Sequence, residues 1–239
     1  VIAAAGGTSG PSLAQLQALG VSGVTADNLA AVQAAIANTA DDGSGVSSLS
    51  ALQSVVSAAA SAAASALSTL SEAATSNSAS DSSPGVEVYG AAGVSGVTAD
   101  NLKAINSVLN TTGVSATSVD TTAEVQALVD AYKLVLAGAD ADASDDNVSV
   151  TTAQYGLLGV EGLGAKSTSL LNDVVDAKAQ TEVDTAAELQ VLASAAEAVI
   201  AAAGGTSGPS LAQLQALGVS GVTADNLAAV QAAIANTAD

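Results

Sequence analysis

The 239-residue chain contains no cysteine, no histidine and no arginine. Histidine is the usual general base near neutral pH and the commonest metal ligand, so its absence removes the standard catalytic and transition-metal sites. Without cysteine there is no thiolate nucleophile, no thiolate zinc site and no disulfide bond. Without arginine, no side chain can hold a phosphate through two parallel hydrogen bonds. We therefore expect a protein that is not an enzyme, and we predict no catalytic residue.

Large apolar side chains are also scarce. Phe, Trp and Met are absent and three tyrosines are the only aromatic residues, although 49% of the chain is hydrophobic. The apolar content is therefore almost entirely Ala, Val, Leu and Ile, which bury little area each, at about 25 cal/mol per Å². Alanine and leucine have high helix propensity. This composition predicts closely packed helices around a thin core.

Positive charge is limited to four lysines, against 23 Asp and Glu residues, which gives a formal net charge of −19. Such a surface repels nucleic acid and anionic lipid, so we predict no nucleic-acid partner. The longest Ala-rich stretch, residues 55–70, is interrupted by four serines. No uninterrupted apolar run reaches the length of about 18 residues that a membrane helix needs. We therefore predict no membrane insertion in this segment.

The last part of the chain repeats its beginning. Residues 199–239 are identical to residues 1–41 at every position, an offset of 198 residues. A fold tolerates many sequences, so identity without one substitution indicates tandem duplication of the coding DNA. The chain begins with Val1 and has no signal peptide. We expect it to be a segment of a longer protein with several 198-residue units, in which targeting signals lie elsewhere.

A weaker repeat lies inside the 198-residue unit. The motif Gly-Val-Ser-Gly-Val begins at Gly20, Gly93 and Gly218, and a variant begins at Gly159, at spacings of 73, 66 and 59 residues. Such periodicity is typical of arrays and solenoids. It divides the chain into the end of a preceding module (1–10), module 1 with a long Ser/Ala-rich helix (11–83), module 2 (84–149), module 3 (150–208) and the start of the next copy of module 1 (209–239).

Each module is predicted to contain three helices. The first begins with a capping signal such as Ser12-x-x-Gln15 and ends at the first motif glycine. The second opens at Thr25-Ala26-Asp27-Asn28 or its equivalents, where the hydroxyl can cap free N–H groups. The third begins at the capping boxes Thr121-x-x-Glu124 and Thr185-x-x-Glu188.

In module 1 the third helix is a long Ser/Ala run. Its apolar residues fall three or four apart, at Leu49, Leu52, Val56, Ala59, Ala63, Ala66 and Leu70. A stripe of small residues lets a partner helix approach closely. We predict an all-α fold, in which tandem three-helix modules of about 66 residues form a linear repeat array. A module of this size with no large aromatic core is marginal alone, so stability must come from neighbouring modules, metal ions or lateral packing between chains.

Two sequence stretches resemble a known class of repeats. GVSGVTADNLAAVQAAIA, followed by DTTAEVQALVDAY, is similar to repeats of very large bacterial surface proteins of the biofilm-associated and giant-adhesin type. The resemblance implies an exported, extracellular protein at the cell surface that forms a stalk or matrix fibre. It implies no catalytic residues. Module 1 lacks the second motif, so its third helix is expected to pack differently.

One acidic stretch is a candidate metal site. Its candidate ligands are Asp140, Asp142, Asp145 and Asp146, of which the first, second and fourth stand at alternate positions of a loop, as in the first half of a calcium-binding loop. Calcium requires several converging oxygen ligands. However, Asp145 occupies the sixth position, where such loops have glycine, and Thr151 occupies the twelfth, where they have a bidentate glutamate. A solvated acidic loop between modules is the other interpretation. No cofactor apart from calcium is predicted.

The tyrosines are the remaining candidates for ligand contacts. Tyr89 and Tyr155 lie four residues before the first motif glycine, where Leu16 stands in module 1. Interchange with leucine predicts core packing. The leading hypothesis is a structural segment of an extracellular filament or adhesin stalk, whose partners are other copies of the same protein. The alternative is a three-helix adhesion module that binds a host or matrix ligand, with or without calcium.

Overall fold

The computed structural model describes residues 1–6, 10–76, 83–142, 149–203, 205 and 207–237. Within these residues the regular structure is helical and contains no strand, which confirms the all-α prediction. The α-helices are α1 (Leu13–Ala18), α2 (Leu29–Ala37), α3 (Leu49–Ser76), α4 (Val86–Ala91), α5 (Leu102–Leu109), α6 (Thr122–Gly138), α7 (Thr152–Leu157), α8 (Ala165–Asp176), α9 (Ala186–Ala202), α10 (Leu211–Ala216) and α11 (Leu227–Ala235). Short 3-10 helices span Ile2–Ala4, Ser44–Val46, Ala116–Ser118 and Gln180–Glu182.

The predicted capping signals begin helices in the structure. At α1, the Gln15 N–H donates to Ser12 Oγ at 3.2 Å, and the Ser12 N–H donates to Gln15 Oε1 at 2.8 Å. The same reciprocal pair begins α7, α10 and, with a glutamate, α9. These bonds occupy N–H groups that have no partner within the helix.

The second helix of module 1 starts later than predicted. Residues 25–28 form a turn, and α2 begins at Leu29 with Asn28 as its N-cap. The Thr25 N–H donates to Asn28 Oδ1 at 2.9 Å, while Asn28 Nδ2 donates to the Gly23 carbonyl at 2.9 Å. The asparagine side chain therefore closes the turn and does not cap the helix, because short polar side chains compete for nearby backbone groups.

Both glycines of the repeated motif adopt left-handed backbone conformations. Gly20 has φ of 80° and Gly23 has φ of 82°, and the equivalent glycines of the other three copies have the same sign. The first of them ends the preceding short helix, as predicted, because a residue without Cβ enters this region at little cost.

One compact unit comprises Val1–Leu102 and Ser115–Ala127. Its core brings together residues of α1, α2 and α3, including Leu16, Ile36 and Val56. Along α3 the predicted stripe is largely confirmed, since its buried residues are Leu52, Val56, Ala63, Ala66, Leu70 and Ala74. This stripe contacts α2, α4 and the 3-10 helices at Ser44–Val46 and Ala116–Ser118. Leu49, the first residue of the predicted stripe, is 55% exposed because these neighbours do not cover the first turn of α3.

The other compact unit comprises Lys103–Val114 and Leu128–Asp239. Here α9 contacts α8 on one side and α10 and α11 on another. The largest buried side chains of this unit include Tyr132, Tyr155, Leu171 and Leu189. A helix that is apolar over much of its circumference can pack against several neighbours. Helix α9 is of this kind, with seven buried residues of which five are alanines.

Candidate functional site

The acidic loop begins where α6 ends. The Asp142 N–H donates to Asp140 Oδ1 at 3.0 Å, and the Ala141 N–H donates to the Lys178 carbonyl at 3.0 Å. Ala141 is in a left-handed conformation, with φ of 65°. The other two candidate ligands, Asp145 and Asp146, lie outside the described residues. Among the residues that the structure does describe, no group of three or more carboxylates is gathered as a metal site would require. Calcium binding stays a prediction.

All three tyrosines lie in the core. Tyr89, Tyr132 and Tyr155 have no exposed surface, and burial raises the pKa of each phenol well above its usual range near 10. Tyr132 Oη donates to the Val183 carbonyl at 3.0 Å, and Tyr155 Oη donates to Asn172 Oδ1 at 2.9 Å. Since the sequence has no other aromatic residue, the surface carries no aromatic side chain on which a ligand could stack.

Segments from predicted modules 1 and 2 meet within the first compact unit. Ser71 Oγ of α3 donates to the Val119 carbonyl at 3.4 Å. Thr122 Oγ1, at the start of α6, lies within hydrogen-bonding distance of the Asp27 and Ala92 carbonyls, 2.7 Å from the latter. Its single proton can serve one of them at a time.

The motif glycine of module 2 is part of the same contact region. A Cβ added at Gly93 would lie 2.7 Å from the backbone nitrogen of Ala31 in α2. Glycine is therefore required here both for its left-handed conformation and for the close approach of the two backbones. We call the region formed by these contacts the first junction.

Segments from predicted modules 2 and 3 meet in the same way within the other compact unit. Tyr132 of α6 bonds the Val183 carbonyl, and the Ala186 N–H at the start of α9 donates to Ser107 Oγ of α5 at 2.8 Å. A Cβ added at Gly159 would clash with the side chain of Thr111, two residues after the end of α5. We call this region the second junction.

An ion pair adds to the second junction. Lys103 Nζ lies 2.7 Å from Asp184 Oδ1, and this carboxylate raises the pKa of the lysine. The lysine side chain is 65% exposed, so the pair contributes little to stability and serves mainly to fix the contact.

The later module of each junction contributes equivalent positions of the repeat, but their partners in the preceding module do not occupy equivalent positions. In each, the third helix of one module donates to the valine carbonyl that precedes the Asp-Thr start of the next third helix. In each, the first turn of that next helix bonds to the second-helix segment of the preceding module, but at different places: Thr122 Oγ1 lies against the Asp27 carbonyl before α2, and the Ala186 N–H donates to Ser107 Oγ within α5.

The motif glycine Gly93 lies against Ala31 within α2, whereas Gly159 lies against Thr111 after α5. The equivalent pairs are Val119 and Val183, Thr122 and Ala186, and Gly93 and Gly159. The sequence analysis missed these contacts. The signal was present as Val-Asp-Thr-x-Ala-Glu, which begins at both valines.

The repeated 41 residues occur in two different environments. In the first copy α3 covers the second helix, and Val32 and Ile36 are fully buried. In the second copy the same residues, Val230 and Ile234, are only partly buried. Val21 is 4% exposed, whereas its equivalent, Val219, is 42% exposed. Burial of the valine and isoleucine side chains therefore depends on the neighbouring helix and not on the local sequence.

Two other apolar side chains of the repeat are more exposed in the first copy than in the second. Leu19 is 51% exposed and Ile2 is 58% exposed, whereas their equivalents, Leu217 and Ile200, are partly buried. Together with Leu49, the two exposed side chains lie along an apolar groove of about 490 Å³. The groove also contains Val1, Val46 and Leu52. We call this surface the open face. It holds three of the large hydrophobic side chains that are exposed in the described part of the chain.

One helix among the described residues, α3 between Leu49 and Thr75, is long and apolar enough to cross a membrane by length and composition. Only 22% of its most apolar stretch is buried. A core helix of a protein that never enters a membrane can pass the same test, so this property is weak evidence. The outer faces of α3 are lined by serine and alanine, including Ser54, Ser57, Ser61 and Ser65.

No known protein family, curated protein or solved structure matches this chain. The resemblance to repeats of giant bacterial surface proteins therefore stays a prediction based on the two quoted stretches. The identical repeat and the equivalent positions at the two junctions are the observations that bear on function.

Proposed function

We propose that this chain is a structural, non-enzymatic segment of an extracellular bacterial surface fibre or adhesin stalk. Three-helix modules of about 66 residues follow one another in a linear array, and copies of the repeat are each other's partners. The observation that carries this proposal is that equivalent positions, Val119 and Val183, Thr122 and Ala186, and Gly93 and Gly159, contact the preceding module at both junctions. A protein built to bind one ligand has no need to use equivalent positions for its internal contacts.

Because these positions recur, further modules can be added to the end of the array through the same positions. In repeat proteins each unit contacts only its neighbours, and stability is a sum of unit and interface contributions. The Val119 and Val183 carbonyls accept from a helix of the preceding module, and Gly93 and Gly159 lie against the preceding second-helix segment. A further module with the same residues at these positions can contact the module before it.

Charge supports an extended and soluble arrangement. The formal net charge of −19 rests on 23 acidic residues and four lysines. Like charges spread along a chain disfavour compact association and keep the protein in solution. The location at the cell surface comes only from the resemblance of the quoted stretches.

The burial of the tyrosines favours a structural role over the alternative of an adhesion module. Binding energy at protein interfaces is concentrated in exposed Trp, Tyr and Arg side chains. The sequence has no Trp or Arg, and its three tyrosines are buried. The apolar stripe of α3 is likewise occupied by α2 and α4, so we propose that this helix packs within the protein and not in a membrane.

Small-angle X-ray scattering tests the array. Chains with one, two and three 198-residue units should show a maximum dimension that increases by a constant length for each unit. A dimension that grows only as the cube root of mass would contradict a linear array. The matched control is a three-unit chain with Gly93→Val and Gly159→Val in every unit, which should lose the constant increment because the junctions cannot close.

Surface labelling tests the location. Antibodies raised against this chain should label intact bacterial cells that produce the parent protein, and brief protease treatment of those cells should remove the label. Label that is found only after the cells are broken open would contradict an extracellular fibre.

A further inference from the structure

The second copy of the repeat shows which helix packs beside the equivalent of the open face. Leu19 and Leu217 are the same residue of the repeat, yet only Leu217 is partly buried. Residues 199–202 form the last turn of α9, and α9 contacts α10 and α11. In the first copy, Ile2–Ala4 form a short 3-10 helix, and Leu19 remains half exposed.

We infer that the part of the open face formed by Leu19 and Leu49 is the docking surface for the third helix of a further copy of module 3, the segment equivalent to Ala186–Ala198, which continues into Val1–Ala4 as α9 continues into residues 199–202. This inference rests on the proposed function, because it supplies the third junction of the array. It names the segment that joins one 198-residue unit to the next.

Sequence identity selects this occupant. Helices α1 and α2 have the same sequence as α10 and α11, on which α9 packs in this chain. A surface that α9 fits in one copy is therefore available to an α9-like helix in the other. Continuity points the same way, since the last turn of α9 consists of the residues that begin the repeat, and the helix leads directly into it.

The chemistry of the two surfaces agrees with this assignment. The open face is apolar, and α9 buries Leu189 and Leu192 together with five alanines. Small side chains allow close helix approach. Burial of the half-exposed Leu19 and Leu49 stabilises the contact by the usual hydrophobic effect.

The helix that packs on the first copy of the repeat and the helix that packs on the second can pack on one copy together. Helix α3 contacts α2 in the first copy, where Val32 and Ile36 are buried, whereas α9 contacts α10 in the second copy, at whose end Leu217 is partly buried. These are different residues, so one internal copy of the repeat can carry both helices at once. Leu49 of α3 lies outside the repeated residues and is exposed in this chain. It then lies beside the docked helix of the further module.

An N-terminal extension of the full chain tests the inference. Residues 150–198, the predicted module 3, are joined directly before Val1, in the order that the repeat dictates. Backbone amide exchange in α1 should become slower by about tenfold or more, because local opening then requires release of the docked helix. Exchange in α10 is the internal control and should not change.

A matched pair of substitutions makes the test specific. Leu19→Asp should have little effect on the unextended chain, since the side chain is half exposed, but should lower the Tm of the extended chain by about 3 °C or more. Leu217→Asp, the same change at the equivalent residue, should lower the Tm equally in both chains. Leu49→Asp provides a second variant at the open face if Leu19→Asp impairs folding of the extended chain.

The outcomes separate this inference from the proposed function. Unchanged exchange in α1, together with equal effects of Leu19→Asp in both chains, overturns the docking of module 3 on the open face. If scattering still shows a constant increment per unit, the array stands and the units are joined in another way. If that increment is absent as well, the proposed function fails with the inference.

Discussion

Tyr132 donates a hydrogen bond of 3.0 Å to the backbone carbonyl of Val183, and the tyrosine is completely buried. The two residues belong to different predicted modules, 51 positions apart in the chain. A buried bond of this kind couples the two segments, because opening either one leaves a polar group without a partner.

Tyr132→Phe is expected to destabilise the unit that contains Leu128–Asp239 by about 1–2 kcal/mol, since the Val183 carbonyl loses its partner in the interior. Urea unfolding followed by circular dichroism measures this change. Lys133→Ala, at the exposed next position of α6, is the control and should change stability by less than about 0.5 kcal/mol. Equal effects of the two substitutions would show that the bond does not couple the modules.

Gly93→Ala is expected to destabilise more than Gly20→Ala. The two glycines occupy the same motif position and have φ of 81° and 80°, so the conformational penalty of about 1–2 kcal/mol is shared. Only at Gly93 does the added Cβ meet backbone, 2.7 Å from the Ala31 nitrogen, whereas nothing lies near Gly20. Overpacking should add about 1–3 kcal/mol at Gly93, measured by denaturant unfolding. The first junction is not closely packed if the two variants are equally stable.

Thr185→Ala is expected to destabilise α9 by about 1 kcal/mol, because the Glu188 N–H loses its capping oxygen. The Thr185 hydroxyl accepts from this N–H at 3.3 Å, and the Glu188 carboxylate accepts from the Thr185 N–H at 3.0 Å. Thr185→Ser keeps the hydroxyl and should restore most of the stability, as measured by thermal unfolding. Failure of serine to restore it would assign the loss to the threonine methyl group.

Glu182 is expected to contribute stability that depends on pH. The backbone N–H of Ala179 and then Lys178 lower the pKa of this carboxyl below its ordinary value of 4.5. A carboxyl with a lowered pKa in the folded state stabilises the fold above the unfolded pKa, and this contribution is lost as pH falls through the folded pKa.

The variant Glu182→Gln isolates this contribution. The free energy of unfolding of the unchanged protein should exceed that of the variant near neutral pH, and the difference should shrink as the pH is lowered below about 4. A difference that stays constant over the whole range, or grows in acid, would contradict the assignment of the ionised form as the stabilising one.

The features that were predicted correctly from sequence are local ones. A capping box needs two residues three positions apart, and a left-handed glycine needs only its own backbone, so Ser12 with Gln15 and the motif glycines could be recognised directly. Leu16, Tyr89 and Tyr155 occupy the same position in the three modules, and this interchange predicted that the position lies in the core. All three side chains are fully buried. The all-helical content followed from composition.

The features that were missed depend on which helix lies nearby. Leu49 continues the apolar stripe of α3 but has no neighbour to cover it. Val32 and Val230 have the same local sequence over 41 residues and yet differ in burial. No pattern within a segment can distinguish such residues. The junction contacts were missed for the same reason, since Ser107 and Ala186 are 79 positions apart.

The identity of residues 1–41 and 199–239 also has a consequence for folding. Two segments with one sequence compete for the same binding helix, and α3 has no chemical means of telling its own repeat from another. Slow or crowded synthesis of several units should therefore give chains in which a distant copy has taken the place of the adjacent one, a mispairing characteristic of repeat proteins. A swapped pair can form the same helix contacts, so the adjacent copy is favoured only by the lower entropic cost of closing the shorter connection and by the order in which units leave the ribosome.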